Sequence, residues 1–203
     1  MAFMFWATLL LSQWQCTQHD VSSCCCQQND TVLVDTVIEV IEPPERFTHI
    51  DYMRANIGVP PVDSINMWLA SVGLPPSNPW CSAMASYALD VTGVEVPSVR
   101  SGLARNFVYQ TNSRLHIQAS KVLRGEVTAE AGWMVVYQRG NTIFGHNGFV
   151  TEDWAGADGM YISGNTSPPS GGSEFSGGGV WEKPASIRPG AAFRITDFII
   201  VEY

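Results

Sequence analysis

An α+β fold built on an antiparallel sheet is what this sequence predicts, and three observations predict it. Helical periodicity is concentrated in residues 63–109, β-branched and aromatic runs follow Gly132, and short turns of Gly, Asn, Asp and Pro separate those runs. Helices first and successive strands afterwards suit helices packed on an antiparallel sheet.

Composition sets the outer bounds. The 203 residues are 45% hydrophobic and 15% charged, a globular balance that can bury a core without disulfides. Eighteen glycines and twelve prolines imply many turns. A net charge of -8 offers phosphates no counterion-release advantage, so no nucleic-acid partner is expected, and an anionic membrane surface is equally unattractive.

Residues 1–16 form a hydrophobic N-terminal segment whose apolar run, 2–11, is too brief for a spanning helix of about 20 residues. Its length suits a signal-peptide core, yet no Lys or Arg precedes it and no small-x-small cleavage site follows. Export or membrane tethering stands beside a cytoplasmic or virion-borne product. Residues 17–47 read as a Cys-containing linker with one strand at 31–41, ending at Pro43 and Pro44. The main folded body is expected over residues 48–203.

In that body, Asp63 or Ser64 can cap a helix running to about Val72, stopped by Gly73 and the Pro75-Pro76 pair. A second helix starts at Pro79-Trp80-Cys81, with Met84, Tyr87, Ala88 and Val91 at helical spacing and Gly93 closing it. A third, with a serine cap at Ser101, runs to about Tyr109. Strands are expected at 133–138, 146–152, 159–164, 179–183 and 193–203, and a long flexible loop at 167–179. No internal repeat is found.

Four of the five cysteines fall in the first 26 residues, and Cys81 stands alone in the body. Neither a disulfide framework nor paired zinc ligands fit that distribution, so no metal or cofactor is expected. Cys81 is therefore a buried core thiol or a reactive one. At the first turn of a helix, free N–H groups and the helix dipole favour a thiolate. Of the four histidines, His19 lies in the tail and His49 and His116 are expected at the surface; His146, between Gly145 and Gly148 at the head of a strand, suits a base working in a cleft. A third group must hold the ring by its far nitrogen, and Asn165, after the strand GMYISG, is the candidate, with an ordinary turn residue as its plain alternative.

The order Cys81, His146, Asn165 resembles the CHAP family, the cysteine, histidine-dependent amidohydrolases and peptidases of papain-like fold. NPWCSAMASYALDVTGV (78–94), FGHNGFVTE (144–152) and YISGNTSP with GGGVWEKPASIRP (161–189) carry the resemblance, which covers about residue 50 to the end. It implies that Cys81 attacks an amide carbonyl, that His146 protonates the leaving amine, and that water releases a thioester. The N–H of Cys81 and the side chain of Asn78 are candidate oxyanion donors. It also implies bacterial peptidoglycan as substrate, cut by an endopeptidase or an N-acetylmuramoyl-L-alanine amidase.

The chain would then be a monomeric bacterial wall enzyme or phage lysin, extracytoplasmic or virion-associated, with a membrane or virion tether through the N-terminal segment as one further expectation. One departure is visible. Many relatives carry an acid two positions before the asparagine, where this chain has Ser163, so either Asn165 works unaided or Glu152 or Asp153 contributes. A catalytically silent wall-binding or virion structural protein is the alternative reading. Trp80, Trp154 and Trp181 could line a groove or simply fill the core.

Overall fold

The computed structural model describes residues 48–171 and 178–203, all within one compact unit, Pro44–Tyr203. The hydrophobic segment 1–16, the linker 17–47 with its expected strand, and residues 172–177 of the glycine-rich loop lie outside the described residues. Among the described residues no helix is long and apolar enough to cross a membrane.

The body opens at Thr48, whose hydroxyl accepts from the N–H of Asp51 while the Asp51 carboxylate accepts from the N–H of Thr48. This reciprocal capping box starts α1 (His49–Arg54), a helix that periodicity does not announce because it is only six residues long. Next comes α2 (Val62–Ser71), which begins after Pro61 without a side-chain cap, so Asp63 falls in the first turn and not at the cap. Gly73, at φ 72°, and the prolines beyond it end this helix as expected.

The third helix, α3 (Cys81–Val91), is almost wholly buried, from Cys81 through Ser86 and again at Ala88 and Leu89. Its small side chains, Ala83, Ala85 and Ala88, favour helix and let neighbouring elements approach closely. The helix expected from Ser101 shortens to α4 (Asn106–Gln110), because the Ser101 hydroxyl accepts from Leu103 N and Asn106 Nδ2 and holds a turn there instead.

Two further elements were not legible in the periodicity, β1 (His116–Gln118) and α5 (Ala119–Leu123); each is too short to show a repeat. The strands that follow are β2 (Met134–Arg139), β3 (Gly145–Val150), β4 (Asp158–Thr166), β5 (Gly179–Ser186) and β6 (Phe193–Ile199). They form one six-stranded antiparallel sheet in the order β1-β6-β2-β3-β4-β5. The fold is thus α+β with an antiparallel sheet.

Alternate residues of the central strands enter opposite layers, as the period of two requires. Met134, Val136, Phe149 and Ile162 join Met53, Trp68, Leu69, Met84 and Leu89 of the helices. Val135, Tyr137, Val150 and Tyr161 join Val122, Trp154, Ile195 and Phe198 on the other side. Burying each such large apolar side chain is worth about 1.5–3 kcal/mol, so both layers contribute to stability.

Two histidines expected at the surface are not there. His49 is buried, because its ring bridges distant chain segments: Nε2–H donates to Gly132 O at 2.8 Å and Nδ1 accepts from the Tyr203 hydroxyl at 2.8 Å. His116 is half-buried, with Nε2 2.5 Å from Asp197 Oδ1, while Arg105 Nη1 donates to Asp197 Oδ2 at 2.9 Å. Trp154 is core, wholly buried beside Phe198.

Candidate active site

Helix α3 and strand β3 meet at their ends, and the residues there explain how. Ser82 Oγ donates to Asn147 Oδ1 at 3.2 Å, and the Asn147 side chain donates to Met134 Sδ at 3.5 Å. Asn147 is fully buried, so it ties the first turn of α3 to the strand residue beside His146. Its backbone N–H, with those of Ser82 and Cys81, acts on the Cys81 thiol in the direction that favours the thiolate. Trp80 caps α3 without a side-chain bond, so no side chain at the cap satisfies the first-turn N–H groups.

These donors favour the thiolate, yet they do not win in the resting chain. Cys81 is 6% exposed, and burial pushes its thiol up against the lowering effects of the Ser82 hydroxyl and of the Asn147, Ser82 and Cys81 backbone N–H groups. The lowering expected from the first-turn N–H groups is present, and burial opposes it with the larger effect. Desolvating an anion outweighs a few hydrogen bonds and the helix end. A reactive sulfur here needs a base that takes its proton.

His146 lines the same cleft. It sits on β3, buried, with its ring edge-on to Tyr137 at 5.7 Å and to Tyr161 at 6.5 Å between centroids. Its Nε2 lies 3.0 Å from Ser163 Oγ on β4. A hydroxyl can accept from Nε2–H, and in that arrangement Nδ1 carries the lone pair a base requires. Gly148 makes room for this pairing, since a Cβ there would stand 2.3 Å from Ile162 O and 2.7 Å from Ser163 Cβ.

Asn165 lines the cleft together with Cys81 and His146. It holds φ 55° in a register break of β4 between Ser163 and Thr166, and such a bulge re-aims a side chain. The preceding Gly164 is needed for close packing: a Cβ there would be 2.6 Å from Trp80 Cζ3 and 2.9 Å from Met84 Sδ. All three residues expected from sequence thus face one cleft, of about 200 Å³. Glu152 and Asp153 do not line it; both are exposed, and Asp153 accepts from Ala131 N.

Asn78 also lines the cleft, and its Nδ2 donates to Pro75 O at 3.0 Å. The sequence reading missed Ser82 and Asn147 and credited Ser163 with no role. A signal existed for Asn147, which is a polar residue next to His146 in a strand otherwise fit for burial. Among the described residues, no group of three His, Cys, Asp or Glu side chains could hold a metal ion.

Taken together, the fold and cleft define a single-domain α+β body with a thiol, an imidazole and an amide converging on one groove. Compared with protein-family models, curated proteins and solved structures, the chain matches none.

Proposed function

We propose that this protein is a cysteine amidohydrolase or peptidase of papain-like, CHAP-type fold, with Cys81 as nucleophile, His146 as base and Ser163 as the group that orients the ring. The observation that carries the reading is the shared cleft of Cys81 and His146, with Nε2 of His146 3.0 Å from the Ser163 hydroxyl. Asn165 is then a cleft-wall residue that contacts substrate. His146 takes the thiol proton, the sulfur attacks the carbonyl carbon, and the proton passes to the leaving nitrogen. Water hydrolyses the thioester and returns the thiol.

Bacterial peptidoglycan is the substrate class this reading carries, through the motifs around Cys81, His146 and Asn165, and an extracytoplasmic or virion-associated site of action goes with it. Digestion of purified peptidoglycan by the full chain, beside Cys81→Ala, with mass spectrometry of the fragments, tests it. New amine ends from the intact protein alone are expected and would identify the bond.

A second reading, a catalytically silent wall-binding or virion structural protein, is favoured by one observation: burial pushes the Cys81 thiol up, away from the thiolate. Wall binding without release of fragments from several wall types would select it.

A further inference from the structure

A second concavity runs into the cleft. It shares Asn78, Pro79 and Asn165 with it and continues over the start of α2, with a volume of about 470 Å³, inside the roughly 300–1,000 Å³ of small-ligand sites. Val62, Ile65 and Asn66 enter its wall together because spacings of three and four residues share one face of α2. Pro76 and the buried Trp80 complete its apolar surface. Its polar side chains are three amides, Asn66, Asn78 and Asn165, and the Ser77 hydroxyl. Among the described lining residues of this groove none is charged, whereas the cleft itself carries Arg139 beside Ile143 and Phe144.

The groove is also where the backbone departs from ordinary geometry. Ser77, at φ 70°, and Asn165, at φ 55°, are the non-glycine residues of positive φ among those described, and both line it. Such conformations are uncommon for a residue with a Cβ, and they gather at ligand sites. Asn78 uses Nδ2 on Pro75 O at 3.0 Å, which holds the side chain and leaves Oδ1 out of that bond.

Amides interleaved with apolar side chains, and no charge, match one component of a wall polymer. An N-acetylated sugar presents hydroxyls and an acetamido N–H and C=O to amides, and its C–H faces and acetyl methyl to apolar groups. A peptide stem would leave its carboxylates uncompensated among the described lining residues. Proton transfer then assigns the halves of the scissile amide. The leaving nitrogen must reach His146, which lines the cleft and not the groove, so the half seated in the groove is the acyl half that stays on sulfur.

We propose that this groove is a saccharide subsite and that the bond cut is the amide joining the lactyl group of an N-acetylated sugar to the peptide, the reaction of an amidase and not of an endopeptidase. The inference rests on the reading of Cys81 and His146 as nucleophile and base. Sulfur bonds to the lactyl carbonyl carbon, the C–N bond breaks with its electron pair on the alanine nitrogen, and that nitrogen takes the proton His146 removed from the thiol. Water adds to the thioester, leaving the lactyl carboxylic acid on the sugar and the free thiol.

Two arms test it with the full chain. In the first, purified peptidoglycan is digested and the new ends are identified by mass spectrometry; free amino groups on L-alanine and lactyl carboxylic acids on the glycan are expected. In the second, two soluble amides share one L-alanyl-D-isoglutamine peptide, acylated either by the lactyl group of N-acetylmuramic acid or by lactic acid alone, and kcat/KM for release of the peptide is compared. The sugar-bearing amide should be preferred roughly tenfold or more, the scale of a few neutral hydrogen bonds. Asn66 is half-buried on α2. Asn66→Leu should reduce the preference roughly fivefold, the scale of one such bond, and Asn66→Trp, which fills the groove, should abolish it.

New ends within the peptides, with the sugar–peptide amide intact, overturn the inference and leave Cys81 and His146 as nucleophile and base. Equal kcat/KM for the two soluble amides, or a preference that neither Asn66 variant moves, overturns it as well. No cleavage in either arm also rejects it. The underlying assignment is read separately: labelling of Cys81 by iodoacetamide at equal rates in the native chain and in His146→Ala rejects the nucleophile and base themselves.

Discussion

Ser163 Oγ lies 3.0 Å from Nε2 of His146, joining β4 to β3 where a carboxylate would compensate an imidazolium and a hydroxyl does not. The pair orients the ring without adding charge. That distinction gives the first prediction.

Ser163→Ala should lower the rate of Cys81 alkylation and of turnover roughly tenfold or less, since one neutral hydrogen bond is worth about 1 kcal/mol. Ser163→Asp should do something a structural role would not: an anion on Nε2 stabilises the imidazolium, so the acid limb of the pH–rate profile moves to higher pH. A profile identical in all three proteins would show that Ser163 does not act on the ring.

Burial of Cys81 yields a second prediction. With the imidazole removed in His146→Ala, the sulfur should ionise above a free cysteine, because desolvation is the largest influence on it and raises the pKa. The pH midpoint of iodoacetamide labelling should therefore lie above about 8.5 in that variant and below the variant's value in the native chain. Coincident midpoints would mean that the imidazole does not reach the thiol.

His49 sets a pH dependence of stability that has nothing to do with the cleft. Burial lowers its pKa from 6.5 to about 4, against the raising effects of the Gly132 carbonyl and of Asp51. The folded state binds fewer protons than the unfolded one between these values, so the stabilisation is complete above about 6.5 and is lost as pH falls toward 4. The shift corresponds to about 3 kcal/mol. Urea midpoints measured near about pH 7 and about pH 4.5 should differ accordingly, and His49→Gln should be weaker at neutral pH but flatter across the window.

Gly164→Ala tests how β4 is seated on α3. The added Cβ would meet Trp80 at 2.6 Å and Met84 at 2.9 Å, both in a buried layer, so overpacking should cost about 1–3 kcal/mol. Thermal unfolding reads it directly. An unchanged Tm would mean that Trp80 moves aside without loss.

Much of the body was legible before the structure because its signals are local. Helical spacing behind Pro79-Trp80-Cys81 places the thiol at the start of α3, and β-branched runs after Gly132 announce β2 through β6. Where length fell short, the signal failed: α1, β1 and α5 span six, three and five residues, less than a repeat needs to declare itself. Ser101 also misled, since its hydroxyl holds a turn before α4 and does not cap a longer helix.

By itself, then, the sequence determined the order of the longer elements, the lone cysteine at a helix start and the glycine-flanked histidine on a strand, while Asn165, expected after the next strand, lies within the last residues of β4. Only the tertiary structure decided which groups meet: Ser163 on the ring of His146, Asn147 and Ser82 pinning α3 to β3, His49 drawn inside by Gly132 and Tyr203. The reason is physical. Periodicity is a property of neighbours along the chain, whereas burial and long-range hydrogen bonds depend on residues brought together by packing, and for Cys81 it is that packing, not its helix position, that sets the direction of the pKa.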